Sequence, residues 1–363
     1  MNSRIEKLYT YMEENALDAL LITLPKHIYY LTGFLTEPHE RFMGLILTRG
    51  EEPFLLVPML DAEKAQQVST VQKIYTHTDT ENAYEVLKGH LPSTISRLGL
   101  EKSHLTVKIY EAILTTIKTE EVVDIEEPLQ KMRLIKSSEE ITTIKRAIAI
   151  MEDSLRLTLT KIIPGITELD IVAELEFQMK KLGAEGPSFS TMVLAGQNAA
   201  LPHGVPGKRK VQIGEVLLID AGVFVDGYVS DLTRTFAIGE LNDTLLDIYD
   251  TVLKANLSGI EAVRPGAAIR SVDQAARTVI ENKGYGEFFM TRVGHGIGLE
   301  IHEFPSLHGQ AIGELQEGMT FTIEPGIYNS SVGGVRIEDN VLVTKDGAEV
   351  LTSFPKELMT IGV

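Results

Sequence analysis

Apolar positions along the first 130 residues switch repeatedly between a helical and an extended period. Ile5, Leu8, Tyr9 and Met12 recur at helical spacing behind Ser3, which is placed to cap them. Residues 19–23 form a short apolar run of strand length. Residues 42–47 and 53–57 flank Arg49-Gly50, the pattern of a hairpin. These features predict an α/β domain with no obvious chemistry of its own. Pro128 and the charged stretch EEPLQKMRLIKSSEE mark a boundary, giving domains 1–132 and 133–363. Beyond it, Ser137 and Glu140 fit a capping box, and Ile141, Ile144, Ala147, Ile148 and Met151 define the buried face of a long helix.

The second domain contains an internal repeat. A helix, a Pro-Gly break and a second helix at IIPGITELDIVAELEFQMKKLG return about a hundred residues later at AVRPGAAIRSVDQAARTVIENKG. Strand-rich sequence follows each copy. Residues 216–224 and 228–237 read as two strands around Asp226-Gly227, a strong two-residue hairpin turn. That turn sets Asp220 opposite Thr233 and Asp231 opposite Gly222, so the two aspartates share a face as diagonal neighbours. Residues 320–324 and 335–343 read as strands around YNSSVGG, and a turn centred near Ser331 sets Glu324 opposite Glu338.

Bulk properties narrow the possibilities. A chain of 363 residues favours two domains. The net charge of −17 argues against a nucleic-acid partner, whose phosphates would be repelled. Cysteine is absent, so neither disulfides nor thiolate ligands are available. The N-terminus carries charges through its apolar positions and reads as an amphipathic helix and then a strand, not as a signal peptide, and no apolar run reaches the roughly 18 residues of a membrane span. A cytoplasmic location, without a membrane partner, is the expectation.

Five side chains then stand out: Asp220, Asp231, His295, Glu324 and Glu338. Four carboxylates and one imidazole form an oxygen-rich donor set suited to Mn²⁺ and able to hold two ions. Four ionised acids in one pocket repel each other, and two divalent cations neutralise them while leaving room for a hydroxide between them. His295 lies among Gly294, Gly296 and Gly298, which allow close backbone approach. G-x-G-x-G is not the dinucleotide fingerprint, so a nicotinamide cofactor is excluded. The constellation points to a hydrolase.

At these residues the chain resembles the pita-bread metallopeptidases, the family of prolidase (Xaa-Pro dipeptidase), aminopeptidase P and methionine aminopeptidase. The resemblance is most specific from His203 to Asn340, and an N-terminal domain is characteristic of the prolidase and aminopeptidase P branch. It implies a creatinase/prolidase-like α/β domain followed by a pita-bread domain with a pseudo-twofold repeat. It further implies Asp220 as a chelating ligand of one ion, Asp231 and Glu338 as bridging carboxylates, and His295 and Glu324 as ligands of the second ion. By the same resemblance, His203 in ALPHG contacts substrate, His302 in GHGIGLEIHEFP steadies the tetrahedral intermediate, and Arg336 in VRIED binds the proline end. Arg292 is retained where many relatives have His-Arg before the Gly-His, but Thr291 replaces the histidine. Ser190 stands where relatives often carry aspartate. His39 and Arg41, in TEPHERF, belong to a loop that relatives place near the active site.

The implied reaction is hydrolysis of Xaa-Pro dipeptides by a hydroxide bridging two ions, Mn²⁺ for preference and Co²⁺ or Zn²⁺ as substitutes. Glu324 would carry the proton, and a homodimer is expected. Three alternatives stay open: an aminopeptidase P acting on longer peptides, a metal-free creatinase-like hydrolase, and a non-catalytic binding protein. The intact ligand set argues against the last two.

Overall fold

The structure, a computed structural model, describes residues 3–362, and the chain divides between Met132 and Arg133 into two compact units. In the first, α1 (Ser3–Glu14) starts at Ser3, which is therefore helical and not a cap. Its Ile5, Leu8 and Met12 are buried, whereas Tyr9 is half-buried and donates to the Glu51 carbonyl at 2.7 Å. The strands are β1 (Ala19–Ile22), β2 (Gly44–Thr48), β3 (Phe54–Pro58), β4 (Lys73–His77), β5 (Arg97–Leu100) and β6 (Glu121–Asp124). They form one mixed sheet in the order β4-β3-β2-β1-β5-β6, with β2 antiparallel to both β1 and β3 as the hairpin pattern required. Every residue of β1, β2 and β3 is buried, so these central strands read as unbroken apolar runs, while the outer β4 and β6 carry polar residues. Helices α2 (Pro25–Thr32), α3 (Ala62–Val68), α4 (Ala83–Lys88) and α5 (Val107–Thr116) connect them, and α6 (Glu126–Leu134) follows.

The second unit opens with α7 (Ser138–Leu159), whose Ser137–Glu140 capping box forms in full. After Pro164-Gly165 comes α8 (Glu168–Lys181), capped the same way by Thr167 and Asp170. The order returns in α9 (Asp243–Glu261), Pro265-Gly266 and α10 (Arg270–Asn282). Gly165 and Gly266 hold φ of 95° and 78°, a left-handed turn that ordinary residues avoid, so each break needs its glycine.

Strands follow each helix pair. After α8 come β7 (Gly186–Pro187), β8 (Met192–Ala195), β9 (Glu215–Ala221), β10 (Val223–Val225), β11 (Tyr228–Val229) and β12 (Leu232–Ile238). After α10 come β13 (Gly294–Gly296), β14 (Glu303–Leu307), β15 (Thr320–Ile323), β16 (Gly326–Asn329), β17 (Gly333–Arg336), β18 (Asp339–Thr344), β19 (Gly347–Val350) and β20 (Thr360–Ile361). Among the described residues the main sheets run β20-β12-β9-β8 and β14-β13-β15-β18-β19.

The two faces of β9 serve different cores. Val216 and Leu218 pack with Val252, Ala255, Val272 and Ala276 of α9 and α10. Leu217, Ile219 and Ala221 pack with Met151, Leu155, Ile171 and Leu175 of α7 and α8. The period of two gives Asp220 the parity of Val216 and Leu218, which fixes the side from which its carboxylate projects.

Candidate metal centre

Two hairpins present the acids. In the first, Asp220 pairs with Thr233 and Ala221 with Leu232. The same register continues through β10 and β11, where Phe224 faces Val229 and Val225 faces Tyr228. Gly222 therefore stands opposite Asp231, as the Asp-Gly turn requires. Asp226 and Gly227 take left-handed φ of 46° and 73°, the conformation a two-residue hairpin turn demands. A Cβ on Gly222 would lie 1.9 Å from the Ser230 carbonyl oxygen, so the strands close here only because residue 222 has no side chain.

In the second hairpin, Thr322 pairs with Asn340 and Ile323 with Asp339, and beyond a break Gly326 pairs with Arg336. One register runs throughout and sets Glu324 opposite Glu338. The break falls at Pro325, which cannot donate to a ladder. Val335, Ile337, Val341 and Val343 alternate into the core, leaving Arg336, Glu338 and Asn340 on the opposite face.

The two hairpins are joined across this polar face. Glu338 donates its backbone N–H to the Thr233 carbonyl at 3.2 Å, and the Thr233 hydroxyl donates to Glu338 Oε2 at 2.6 Å. Asn340 brackets the Asp231 backbone, donating to its carbonyl at 2.6 Å and accepting from its N–H at 3.3 Å. Behind the face, buried Arg234 donates to the Glu338 carbonyl, to Asp339 Oδ1 at 3.0 Å and to the Phe354 carbonyl at 2.7 Å.

His295 enters from β13. A Cβ on Gly294 would meet the Thr322 carbonyl oxygen at 1.9 Å, and one on Gly296 the Phe304 carbonyl oxygen at 2.1 Å, so the glycines let β13 lie tightly between its neighbours. Ligand atoms of Asp231, His295 and Glu338 all lie within 4.8 Å of one another, and all three residues are buried. His295 Nε2 is 3.2 Å from Glu324 Oε1 and 3.6 Å from Asp231 Oδ2. Asp220 completes the group through Arg336, whose Nη2 is 2.5 Å from Asp220 Oδ2 and whose Nε is 4.0 Å from Glu324 Oε2.

The electrostatics call for cations. Burial, followed by the charge of Glu338, pushes Asp231 well above the usual carboxylate range. Burial and Glu324 do the same to Glu338. Burial raises Asp220 too, opposed by Arg336; burial also acts on Glu324, but the hydrogen bond and charge of His295, with the charges of Arg336 and Arg292, together outweigh it and hold Glu324 below its ordinary value. Asp220 Oδ1 and Glu338 Oε1 are buried with no hydrogen-bond partner, a costly state for acceptors. Orphaned oxygens aimed into an acid cluster with one imidazole fit hard divalent ions.

The remaining candidates divide. His302 sets its ring edge-on to His295, with centroids 4.2 Å apart. Loss of hydration, with the nearby charges of His295 and Arg292, pushes its pKa down to about 4. Arg292 donates to Ser306 Oγ at 3.1 Å. His203 lies on an exposed loop, close enough for its charge to act on His302. Arg336 is buried and its fork is occupied: Nε donates to Thr233 Oγ1 at 3.1 Å, Nη1 to Tyr328 Oη at 2.9 Å and Nη2 to Asp220. Its donors are thus engaged by the protein's own groups, whereas the resemblance implied that it binds the proline end of the substrate. His39 and Arg41 belong to the first unit. His39 is exposed with φ of 54°, and Arg41 grips both oxygens of Asp79 at 2.7 and 3.1 Å. Thr233, Tyr328, Asn340 and Arg234 escaped the sequence reading. Thr233 had one usable signal, its place opposite Asp220 in the predicted register.

Residues 142–345 match metallopeptidase family M24, and residues 4–135 match the creatinase/prolidase N-terminal domain. The chain belongs to metallopeptidase family M24. Its fold is the α/β arrangement expected of that family, with a pita-bread catalytic domain after the creatinase-type domain. Among M24 relatives, the putative dipeptidase YkvY of Bacillus subtilis (strain 168) is 41% identical over 362 residues, 99% of this chain and 100% of that protein. The Xaa-Pro dipeptidase from Bacillus anthracis superimposes with a TM-score of 0.93 at 35% identity, covering 99% of both chains. The X-Pro aminopeptidase from Thermotoga maritima gives a TM-score of 0.88 at 32% identity, over 97% of this chain and 100% of that one. As an M24 chain this protein is a metallopeptidase. Among the described residues no helix is long and apolar enough to cross a membrane.

Proposed function

We propose that this chain hydrolyses Xaa-Pro dipeptides with two divalent ions, Mn²⁺ for preference, held by Asp220, Asp231, His295, Glu324 and Glu338. The observation that carries the reading is the convergence of four acids and His295 with two carboxylate oxygens left buried and unpartnered. The dipeptidase names among its relatives supply the substrate class. When bound, such ions would act as Lewis acids and lower the pKa of a coordinated water.

The protein's own groups do the rest. Glu324, ionised below the ordinary carboxylate range, accepts the proton of the attacking water and delivers it to the leaving nitrogen. The nitrogen of an Xaa-Pro bond carries no hydrogen, so it must gain one to depart. His302, neutral at physiological pH because its pKa is driven down, donates a ring N–H to the carbonyl oxygen as negative charge develops. His203 and Arg292 contact the substrate from the rim. His39 and Arg41 are assigned the same role through the family resemblance, as is the homodimer. Arg336 holds Asp220 in place instead of gripping substrate.

Two measurements test the reading. Asp220→Asn or Glu338→Gln should leave the protein folded while metal content and turnover collapse; two ions per chain with normal turnover would overturn the ligand assignment. Comparing an Xaa-Pro dipeptide with an Xaa-Pro tripeptide separates dipeptidase from aminopeptidase. Faster cleavage of the tripeptide would establish the latter.

A further inference from the structure

Residues 297–302 link β13 to β14, carry His302 and contain no regular structure. Such a loop keeps one shape only if its backbone groups are satisfied. One side chain does much of that here. Glu303 Oε1 accepts from Leu299 N–H at 2.7 Å and Glu300 N–H at 3.0 Å, closing the loop into a ring. Two cations hold the same carboxylate from the other side. Lys136 Nζ lies 3.3 Å from Oε2, and Arg133 Nη2 bonds Oε1 while also reaching Glu300 Oε2 at 2.8 Å. Arg133 and Lys136 are only 4% and 6% exposed. A Cβ on Gly298 would lie 2.8 Å from Glu303 Oε2, so the glycine makes room for the carboxylate. The Gly298 carbonyl accepts from Val229 N–H at 2.9 Å, and Ile297 N–H donates to the Thr320 carbonyl at 3.2 Å.

A buried ion cluster is a poor source of stability, since apolar residues of similar volume serve as well or better. What this one does specifically is fix the residue next to it. The bonds of Glu303 run to the loop and to two cations some 170 residues away in sequence, not to the five ligand side chains. Its neighbour His302 stands edge-on against His295. We propose that Glu303, clamped by Arg133 and Lys136, is the positioning residue for His302. This rests on the reading of His302 as the donor to the substrate's carbonyl oxygen.

The test is a double-mutant cycle on the Mn²⁺-loaded enzyme, with an Xaa-Pro dipeptide as substrate and metal content checked for each variant. His302→Ala should lower kcat on the order of a hundredfold. Glu303→Gln should lower kcat at least about tenfold with little change in KM, and should cost nothing further in the His302→Ala background. Glu303→Asp should recover part of the loss. An equal loss from Glu303→Gln in both backgrounds would make Glu303 merely structural and overturn the proposal. A second readout is independent of turnover. In the ion-free protein the His302 ring resonances, displaced by the adjacent His295 ring, should shift towards unstructured values in Glu303→Gln. Unmoved resonances would overturn the positioning role, whereas normal turnover by His302→Ala would overturn only the reading of His302 on which it rests. Should Glu303→Gln not fold, Arg133→Lys, which keeps the charge and loses the planar fork, goes through the same cycle.

Discussion

Thr233 and Glu338 bind each other twice. The Glu338 N–H donates to the Thr233 carbonyl at 3.2 Å, and the Thr233 hydroxyl returns a 2.6 Å hydrogen bond to Glu338 Oε2. The second bond holds one carboxylate oxygen and leaves the other, Oε1, buried and unpartnered in a residue that lies beside Asp231 and His295. Partners of this kind, one bond removed from an ion, typically change its affinity about 10–100-fold. Thr233→Val, which keeps the shape and removes the donor, should therefore weaken Mn²⁺ binding by about that factor in a calorimetric titration. Unchanged affinity would show that Glu338 is held by its backbone alone.

Glu324 is assigned two tasks, ligand and proton carrier, and the second can be isolated. Glu324→Gln at saturating Mn²⁺ should cut kcat by about 10²–10⁴-fold, the usual worth of general acid–base catalysis. Turnover within a few-fold of normal in metal-replete variant protein would remove the proton-carrier role.

Arg336 gives its donors to Thr233, Tyr328 and Asp220. If its work is to hold Asp220, Arg336→Ala should lower kcat/KM equally for Xaa-Pro dipeptides and their C-terminal amides. Charged hydrogen bonds contribute about 1.5–3 kcal/mol, which corresponds to roughly a ten- to a hundredfold loss. A loss confined to free dipeptides would instead support the role implied by the family resemblance, binding the proline end of the substrate through its carboxylate.

Asp231 and Glu338 have carboxyls pushed upward in the ion-free protein, first by burial and then by neighbouring acids. The sign follows from linkage. A carboxyl raised on folding favours the native state below its unfolded value of about 4, and that contribution is lost as pH climbs through the raised folded value. Metal uptake must displace these protons. Calorimetry in buffers of differing ionisation enthalpy should record net proton release on binding Mn²⁺, with apparent affinity rising with pH. Uptake without proton exchange would contradict the raised values.

The parts of the site that depend on turn chemistry were legible in the sequence. Asp226-Gly227 set the first register and the turn centred on Ser331 set the second, and both pairings appear as counted from those turns. The capping box at Ser137 and the Pro-Gly breaks are equally local, and both formed. What stayed illegible acts over long separations. Arg234 reaches Asp339 across 105 positions, Arg133 reaches Glu303 across 170 and Arg336 reaches Asp220 across 116. Each such contact depends on how elements far apart in sequence pack against one another, which no local pattern encodes. Arg336 shows the consequence: its strand parity could be counted, but whether an acid of the protein already filled its fork could not.

Glu338 takes its backbone partner from β12 and not from its own hairpin, so the boundary between the repeated halves runs through this proposed ligand. An ion seated there would act as a rivet across that seam. Its removal should loosen the join while leaving each half intact. Isotope exchange at the amides of Glu338 and Asp231, which cross the seam to Thr233 and Asn340, would then quicken on chelation. Amides within β9 and β15 would keep their pace, because the bonds that protect them never leave their own sheet.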